Sequence, residues 1–336
     1  MELFFENMDS FLHQLTALGN ELDVDSTLLN NYYHELTQLG ALALLIPEEE
    51  GGMGGQKEDW INYNIKLAQF SGALLFLQAQ HQLAITQLKK IKEFPKVQEL
   101  FEKIIAQRLG LGVGLAANRH LLSVENYQSG YLVSGRLLWV TGWQHFSHIL
   151  FSFDHQGYVY YCLLPFENKN HETGNIKISP IIKTTVFEST NTVSMSLENW
   201  YIDSNEILAW QTQSLHKFTQ HPAIFNFAGA AKALLAIAKQ GKYAFLDLSK
   251  TKQNELEKSW QDYYQKMIKD EKDPLELRAE GLLLAEQCAL LARISCGAES
   301  LLASHPITRI SREIWQYTIA GYSKDQAQAY LTSSLC

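Results

Sequence analysis

The spacing of apolar residues changes period twice along this chain, and few folds tolerate that change. Up to about residue 107 the spacing is helical. Trp60, Tyr63, Leu67 and Phe70 step by three, four and three, which puts them on one helix face. Leu74–Leu77 and Leu83–Leu88 are apolar enough for a buried helix, Phe94-Pro95 breaks it, and Val97–Ile105 predicts one more short helix. From about 108 to 210 the helical period disappears. Short β-rich runs replace it at Tyr131–Val133, Leu137–Val140, Ile149–Phe153, Tyr158–Leu164, Ile176–Ile181 and Val193–Leu197, with turns at Ser129-Gly130, Asp154–Gly157 and Asn168–Asn175. That pattern predicts a small antiparallel barrel or sandwich. From about 215 the helical period returns in Ile224, Phe227, Ala231, Leu234 and Ala238. It continues in Leu256, Trp260, Tyr263 and Met267, then in Leu277, Gly281, Leu284, Cys288, Leu291 and Ser295. Asp273 as N-cap, Pro274 at the first helical position and Glu276 three after the cap mark the start of that last helix. Long amphipathic helices joined by short loops predict an antiparallel bundle. The expected organisation is a helical domain over 1–107, a β-barrel domain over 108–212 and a helical bundle over 213–336.

Composition narrows the function classes. With 28 Lys and Arg against 36 Asp and Glu, the 336-residue chain carries a formal charge of −8, which argues against a nucleic-acid or polybasic membrane role. Cys162, Cys288, Cys296 and Cys336 show no CxxC spacing and read as thiols of a reducing compartment. The N-terminal MELFFENMDSFLHQL has early acidic residues and no basic segment, so no signal peptide is expected. No uninterrupted apolar run approaches the roughly 20 residues of a membrane span. A cytoplasmic globular protein is expected.

Three local patterns stand out. Leu39–Gly55, LGALALLIPEEEGGMGG, predicts an apolar helical run stopped at Ile46-Pro47, a tight glycine loop and a new helix near Gln56. Its three glutamates, Glu48, Glu49 and Glu50, read as a solvated or loop-capping run. Gly130–Gly142, GYLVSGRLLWVTG, predicts a turn, a strand, a glycine turn at Ser134-Gly135 and a second strand. Near the C-terminus, CGAESL at 296–301 is followed by Pro306, Arg309, Arg312 and Glu313. The two arginines share a helix face, where they could bind a phosphate or carboxylate or hold helices together by ion pairs.

Together with the three-zone order, these patterns resemble the acyl-CoA dehydrogenases, FAD enzymes that oxidise acyl thioesters. The resemblance covers nearly the whole chain and implies a flavin between barrel and bundle. In the family's similar hairpin an aromatic covers the flavin and a Thr or Ser hydroxyl faces it. Carried over, Trp139 and Thr141 are the flavin candidates, with Val140 and Gly142 as backbone neighbours. A donor near the flavin N5 stabilises the reduced ring, and an apolar shell excludes water. The family's segment near the two arginines is mainly structural. Family bundles also pair, so a homodimer or homotetramer is implied.

Several family signatures are unfilled. The dehydrogenases use a glutamate before Gly-Thr as general base. The matching segment here, Ile319-Ala320-Gly321-Tyr322-Ser323, puts Ala320 in that place, and a methyl group accepts no proton. Gly321 and Ser323 remain as cofactor contacts implied by the match. An alternative family base, early in the first bundle helix, falls on His221–Phe225, which holds no carboxylate. The flavin loop expected between Leu111 and Tyr127 is shortened, and the R-x-x-F-G motif is missing after Tyr243–Phe245. His145, His148, Asp154 and His155 could suggest a metal, but strand residues three apart face opposite sides, and no metal site is expected. Three readings follow: an FAD-dependent oxidoreductase acting on an acyl thioester or related small molecule, a monooxygenase using reduced FMN or FAD, or a non-catalytic paralogue holding no flavin and serving as a binding or assembly subunit.

Overall fold

The computed structural model describes residues 1–115, 122–213, 223–269, 272–319 and 324–334. Among these, six helices come first: α1 (Glu2–Gln14), α2 (Gly19–Val24), α3 (Ser26–Gln38), α4 (Lys57–Phe70), α5 (Gly72–Lys89) and α6 (Pro95–Gln107). Nine strands follow: β1 (Leu111–Gly114), β2 (Ser123–Tyr127), β3 (Gly130–Val140), β4 (His148–His155), β5 (Tyr158–Pro165), β6 (Lys169–Asn170), β7 (Asn175–Ile178), β8 (Val193–Asp203) and β9 (Ile207–Thr212). The last five helices are α7 (Ala223–Gln240), α8 (Asp247–Lys269), α9 (Pro274–Cys296), α10 (Pro306–Ile319) and α11 (Lys324–Ser334).

The period changes seen in the sequence fall where the elements change type. Within Leu39–Gly55 the punctuation differs from the expected one. The preceding helix, α3, ends at Gln38, because Gly40 turns left-handed at φ +89°. The apolar residues up to Ile46 therefore form a buried single turn and loop, not the end of a helix. The glycine run then folds back along it: the Met53 amide donates to the Ala43 carbonyl at 3.0 Å, and that of Gly55 to Leu44 at 2.8 Å. Glu48 and Glu49 are exposed, and Glu49 pairs with Lys92 at 2.6 Å.

The β-zone is built as two sheets. One is five-stranded and antiparallel, in the order β2-β3-β8-β7-β6; the other is four-stranded, β1-β4-β5-β9, with β1 parallel to β4. They meet where Leu137, Ile149 and Phe151 crowd Gly114, and where the Tyr131 and Phe153 rings lie tilted at 5.3 Å. The expected turn at Ser134-Gly135 is absent, and β3 runs through it. Register pairs Val133↔Trp200 and Gly135↔Leu197 leave Ser134 opposite two residues of β8. The Ser134 hydroxyl fills that bulge, donating to Asn199 Oδ1 at 3.0 Å and accepting the Asn199 amide at 2.8 Å. The hairpin actually turns at Gln128-Ser129, between β2 and β3.

In the bundle, α7 lies against α4, α8, α9 and α10. Asp273 caps α9 through the Leu275 amide at 2.8 Å, and Pro274 follows it. Residues Pro274–Leu301 are the one stretch, among the described residues, long and apolar enough to cross a membrane, and about half of that window is buried. Packing of α9 against α7, α8 and α11 accounts for its apolar character.

Candidate functional site

The C-terminal end of β3 carries the most unusual backbone near the predicted site. Leu137 pairs with Met195 and Val140 with Val193, so Leu138 and Trp139 together stand opposite Ser194 alone. The extra residue is accommodated by a left-handed Trp139 at φ +59°. A bulky side chain there is strained. The bulge turns both side chains outward, and Trp139 is 63% exposed. An indole in solvent forgoes the burial that normally stabilises it.

Directly after this open indole the chain dives inward. Val140 is buried in the ladder, and Thr141 is only 4% exposed. Thr141 Oγ1 meets Thr192 Oγ1 at 3.1 Å. Gly142 takes φ +97°, and a Cβ there would lie 2.2 Å from the Phe146 ring. Only glycine fits both demands. The turn closes on it: the Phe146 amide donates to the Gly142 carbonyl at 2.9 Å. The Gly142 amide donates to Thr190 at 2.9 Å, and that of Trp143 to Asn191 at 3.2 Å.

The segment Phe187–Thr192 thus backs the corner, and it is itself pinned from both helical zones. The Ser189 hydroxyl donates to the Leu22 carbonyl at 2.6 Å, and the Phe187 amide donates to Asp23 Oδ1 at 2.7 Å. Asp23, 1% exposed, also accepts from Arg312 Nη2 at 3.2 Å. His145 Nε2 bonds the Ser189 carbonyl at 2.8 Å, and burial holds that imidazole below its usual pKa. Phe187 stacks on Phe76 of α5 at 5.1 Å and meets Tyr317 of α10 edge-on at 5.5 Å.

The two arginines of α10 are therefore spoken for. Arg312 holds Asp23, and Arg309 pairs with Glu313, both partners buried. Glu313 Oε1 also accepts the Gly72 amide at 3.3 Å. Burial pushes the Glu313 carboxyl up, and the Arg309 guanidinium pulls it back. Of the two roles open to these arginines, the ion-pair one is what the geometry contains.

Among the predicted contacts, Trp139, Val140, Thr141 and Gly142 form one continuous corner. Gly321, Ser323, Ala320 and His221 lie outside the described residues. His148 bonds Ser147, His155 bonds Asn126, and among the described residues no three His, Cys, Asp or Glu side chains group as metal ligands. Sequence reasoning missed Thr192 and Asp23. No local signal links Thr192 to a partner 51 positions away.

The corner suits the flat ring of a flavin: an uncovered indole face beside a buried hydroxyl pair. Val140, between them in the chain, is apolar and buried. Arg136, the cation of β3, donates from Nη2 to the Ser194 hydroxyl at 2.8 Å.

No protein-family model and no curated protein matches the chain. Solved structures do. Butyryl-CoA dehydrogenase of Megasphaera elsdenii aligns over 100% of this chain and 98% of its own, at 13% identity and a TM-score of 0.80. A nitrososynthase of Micromonospora carbonacea var. africana aligns over 99% and 96%, at 14% and 0.78. The dibenzothiophene monooxygenase of Paenibacillus sp. A11-2 aligns over 98% and 96%, at 12% and 0.74. At such identities the likeness is one of fold.

Proposed function

We propose that this chain, which has the acyl-CoA dehydrogenase-superfamily fold, is a flavin-dependent oxidoreductase binding its flavin ring, most simply that of FAD, at Trp139–Gly142. The observation that supports this is the left-handed Trp139, held strained and exposed two residues before the buried Thr141, which pairs with Thr192. Strain without a packing benefit points to a ligand. A bound flavin supplies the redox chemistry. The chain's part is to cover the ring with Trp139, present the Thr141 hydroxyl to a ring nitrogen, and exclude water with Leu138 and Val140. The substrate class is an acyl thioester or a related small molecule.

A second reading is supported by the carboxylates. Asp23, and Glu313 of α10, are buried and both committed to arginines, and a paired carboxylate is a poor general base. Oxygenation by reduced flavin, FMN or FAD, needs no such base. Exposed Leu290, Ile294, Leu301 and Leu302 suit pairing of the bundle with a second copy. The free, buried thiols Cys162, Cys288 and Cys296 suit the cytoplasm.

The test is an absorption spectrum of purified protein between about 350 and 500 nm, the flavin window. A flavin spectrum, as isolated or after adding FAD or FMN, is expected, and Thr141→Ala should alter affinity or band shape. Anaerobic bleaching by acyl-CoA thioesters supports dehydrogenation. No bleaching, with oxygen uptake by the bound reduced form, supports oxygenation. A protein that binds neither oxidised nor reduced flavin is the non-catalytic subunit instead.

A further inference from the structure

The carboxylate of Asp23 divides its two oxygens between two regions. Oδ2 accepts from Arg312 Nη2 at 3.2 Å and belongs to the ion pairs of α10. Oδ1 accepts the Phe187 amide at 2.7 Å and belongs to the β-zone. Val186 and Phe187 are each 2% exposed, so the peptide between them lies inside, where an N–H without an acceptor is costly. Phe187 is also left-handed, at φ +58°, a conformation that a bulky residue keeps only when its surroundings hold it. From there a run of bonds leads to the corner. The Phe187 carbonyl accepts the Thr190 amide at 3.0 Å and the Thr190 hydroxyl at 2.8 Å. The Thr190 carbonyl in turn accepts the Gly142 amide, and the Asn191 carbonyl that of Trp143.

We infer that Asp23 is a positioning residue for the flavin corner, acting through its Oδ1 on the turn from Phe187 to Asn191; this rests on the flavin reading above. The division of the carboxylate separates charge from geometry. The pair with Arg312 ties α2 to α10 and needs the negative charge. The bond to Phe187 needs only an oxygen lone pair, which a neutral side-chain amide supplies as well. Losing the charge alone therefore costs folding and leaves the corner set. Losing the oxygen orphans the Phe187 amide, lets Phe187 leave the left-handed region, and shifts the carbonyls on which Gly142 and Trp143 are seated. The Ser189 hydroxyl, bonded to the Leu22 carbonyl, stays as a second tether, so the segment loosens without coming away.

The experiment compares wild type with Asp23→Ala, Asp23→Asn and Arg312→Met in two readouts. One is the dissociation constant for FAD or FMN, whichever wild type binds more tightly, by fluorescence. The other needs no ligand: hydrogen exchange of the Gly142 and Trp143 amides by mass spectrometry, taken relative to that of α9 so that global destabilisation cancels. Asp23→Ala should weaken the flavin about tenfold and speed that exchange by about the same factor, the range expected for one orphaned buried amide. Asp23→Asn and Arg312→Met should unfold at lower urea, yet stay within about twofold of wild type in both readouts. Asp23→Asn matching Asp23→Ala in both readouts, or Asp23→Ala changing neither, overturns the inference while leaving the flavin reading intact. Wild type that binds neither flavin, oxidised or reduced, overturns both. Should Asp23→Ala fail to fold, Asp23→Leu, which fills the space without an acceptor, is read by the same criteria.

Discussion

The corner at Trp139–Gly142 and the ion cluster on α10 lie at the two ends of one segment, Phe187–Thr192, buried but for Glu188, and they treat polarity in opposite ways. At the cluster, charges are closed in on one another: Arg309 on Glu313, Arg312 on Asp23. At the corner, a strained backbone turns an indole into solvent, and the next residues bury a hydroxyl pair. The cluster spends its chemistry on holding helices. The corner gives up stability and keeps a surface open. Substitutions should therefore cost folding at one end and binding at the other.

The largest effect is expected at the cluster. Arg309→Ala leaves the Glu313 carboxyl buried without its cation, which should cost about 3–5 kcal/mol in urea unfolding. The folded pKa of Glu313, already raised by burial, then rises further. A raised acid contributes stability below its unfolded pKa and loses it as pH rises, so the deficit should be smallest in acid. A loss under about 1 kcal/mol at neutral pH would mean that the pair is not holding α10.

Next comes His81 of α5, which separates structural histidines from ligand-binding ones. Its Nε2 donates to the Leu42 carbonyl at 3.0 Å, and Nδ1 accepts the Leu111 amide at 3.3 Å, a pattern that requires neutral imidazole. Burial lowers its pKa from 6.5 to about 4. Between those values the unfolded chain binds the extra proton, so stability present above pH about 6.5 is lost as pH falls toward 4. The full effect is about 3 kcal/mol. His81→Asn should flatten the pH dependence of thermal unfolding in that window; an unchanged slope would assign the titration elsewhere.

The smallest effect on folding, and the sharpest contrast, is expected at Trp139. Trp139→Gly relieves the left-handed strain and gives up only the buried minority of the indole, so the protein should be unchanged or up to about 1 kcal/mol more stable. Flavin binding should nevertheless weaken at least tenfold. A variant that loses stability and keeps its flavin would invert the comparison.

Part of this was legible in the sequence. The two period changes locate the helix–sheet–helix order, and Asp273-Pro274 marks the start of α9 where the cap bond is found. The hairpin GYLVSGRLLWVTG likewise points to Trp139–Gly142. Yet Ser134-Gly135 reads as a turn and is a bulge, because its hydroxyl is satisfied by Asn199, a residue no local window contains. Strand β2, SVENY, was invisible because it is mostly exposed and has no apolar alternation. Arg309 and Arg312 advertised a charge function, but their partners decide which one, and Asp23 lies 289 positions from Arg312.

That separation has a consequence for how the chain is made. The Phe187 amide is satisfied by Asp23, from the first helices, and Asp23 is itself neutralised by Arg312, from nearly the last. During synthesis the strands leave the ribosome long before Arg312 does. The backing of Thr141 is therefore among the last parts to set, and a β-zone expressed by itself would hold Phe187–Thr192 with its anchors missing. The corner is built by the whole polypeptide and cannot be carried off on a fragment.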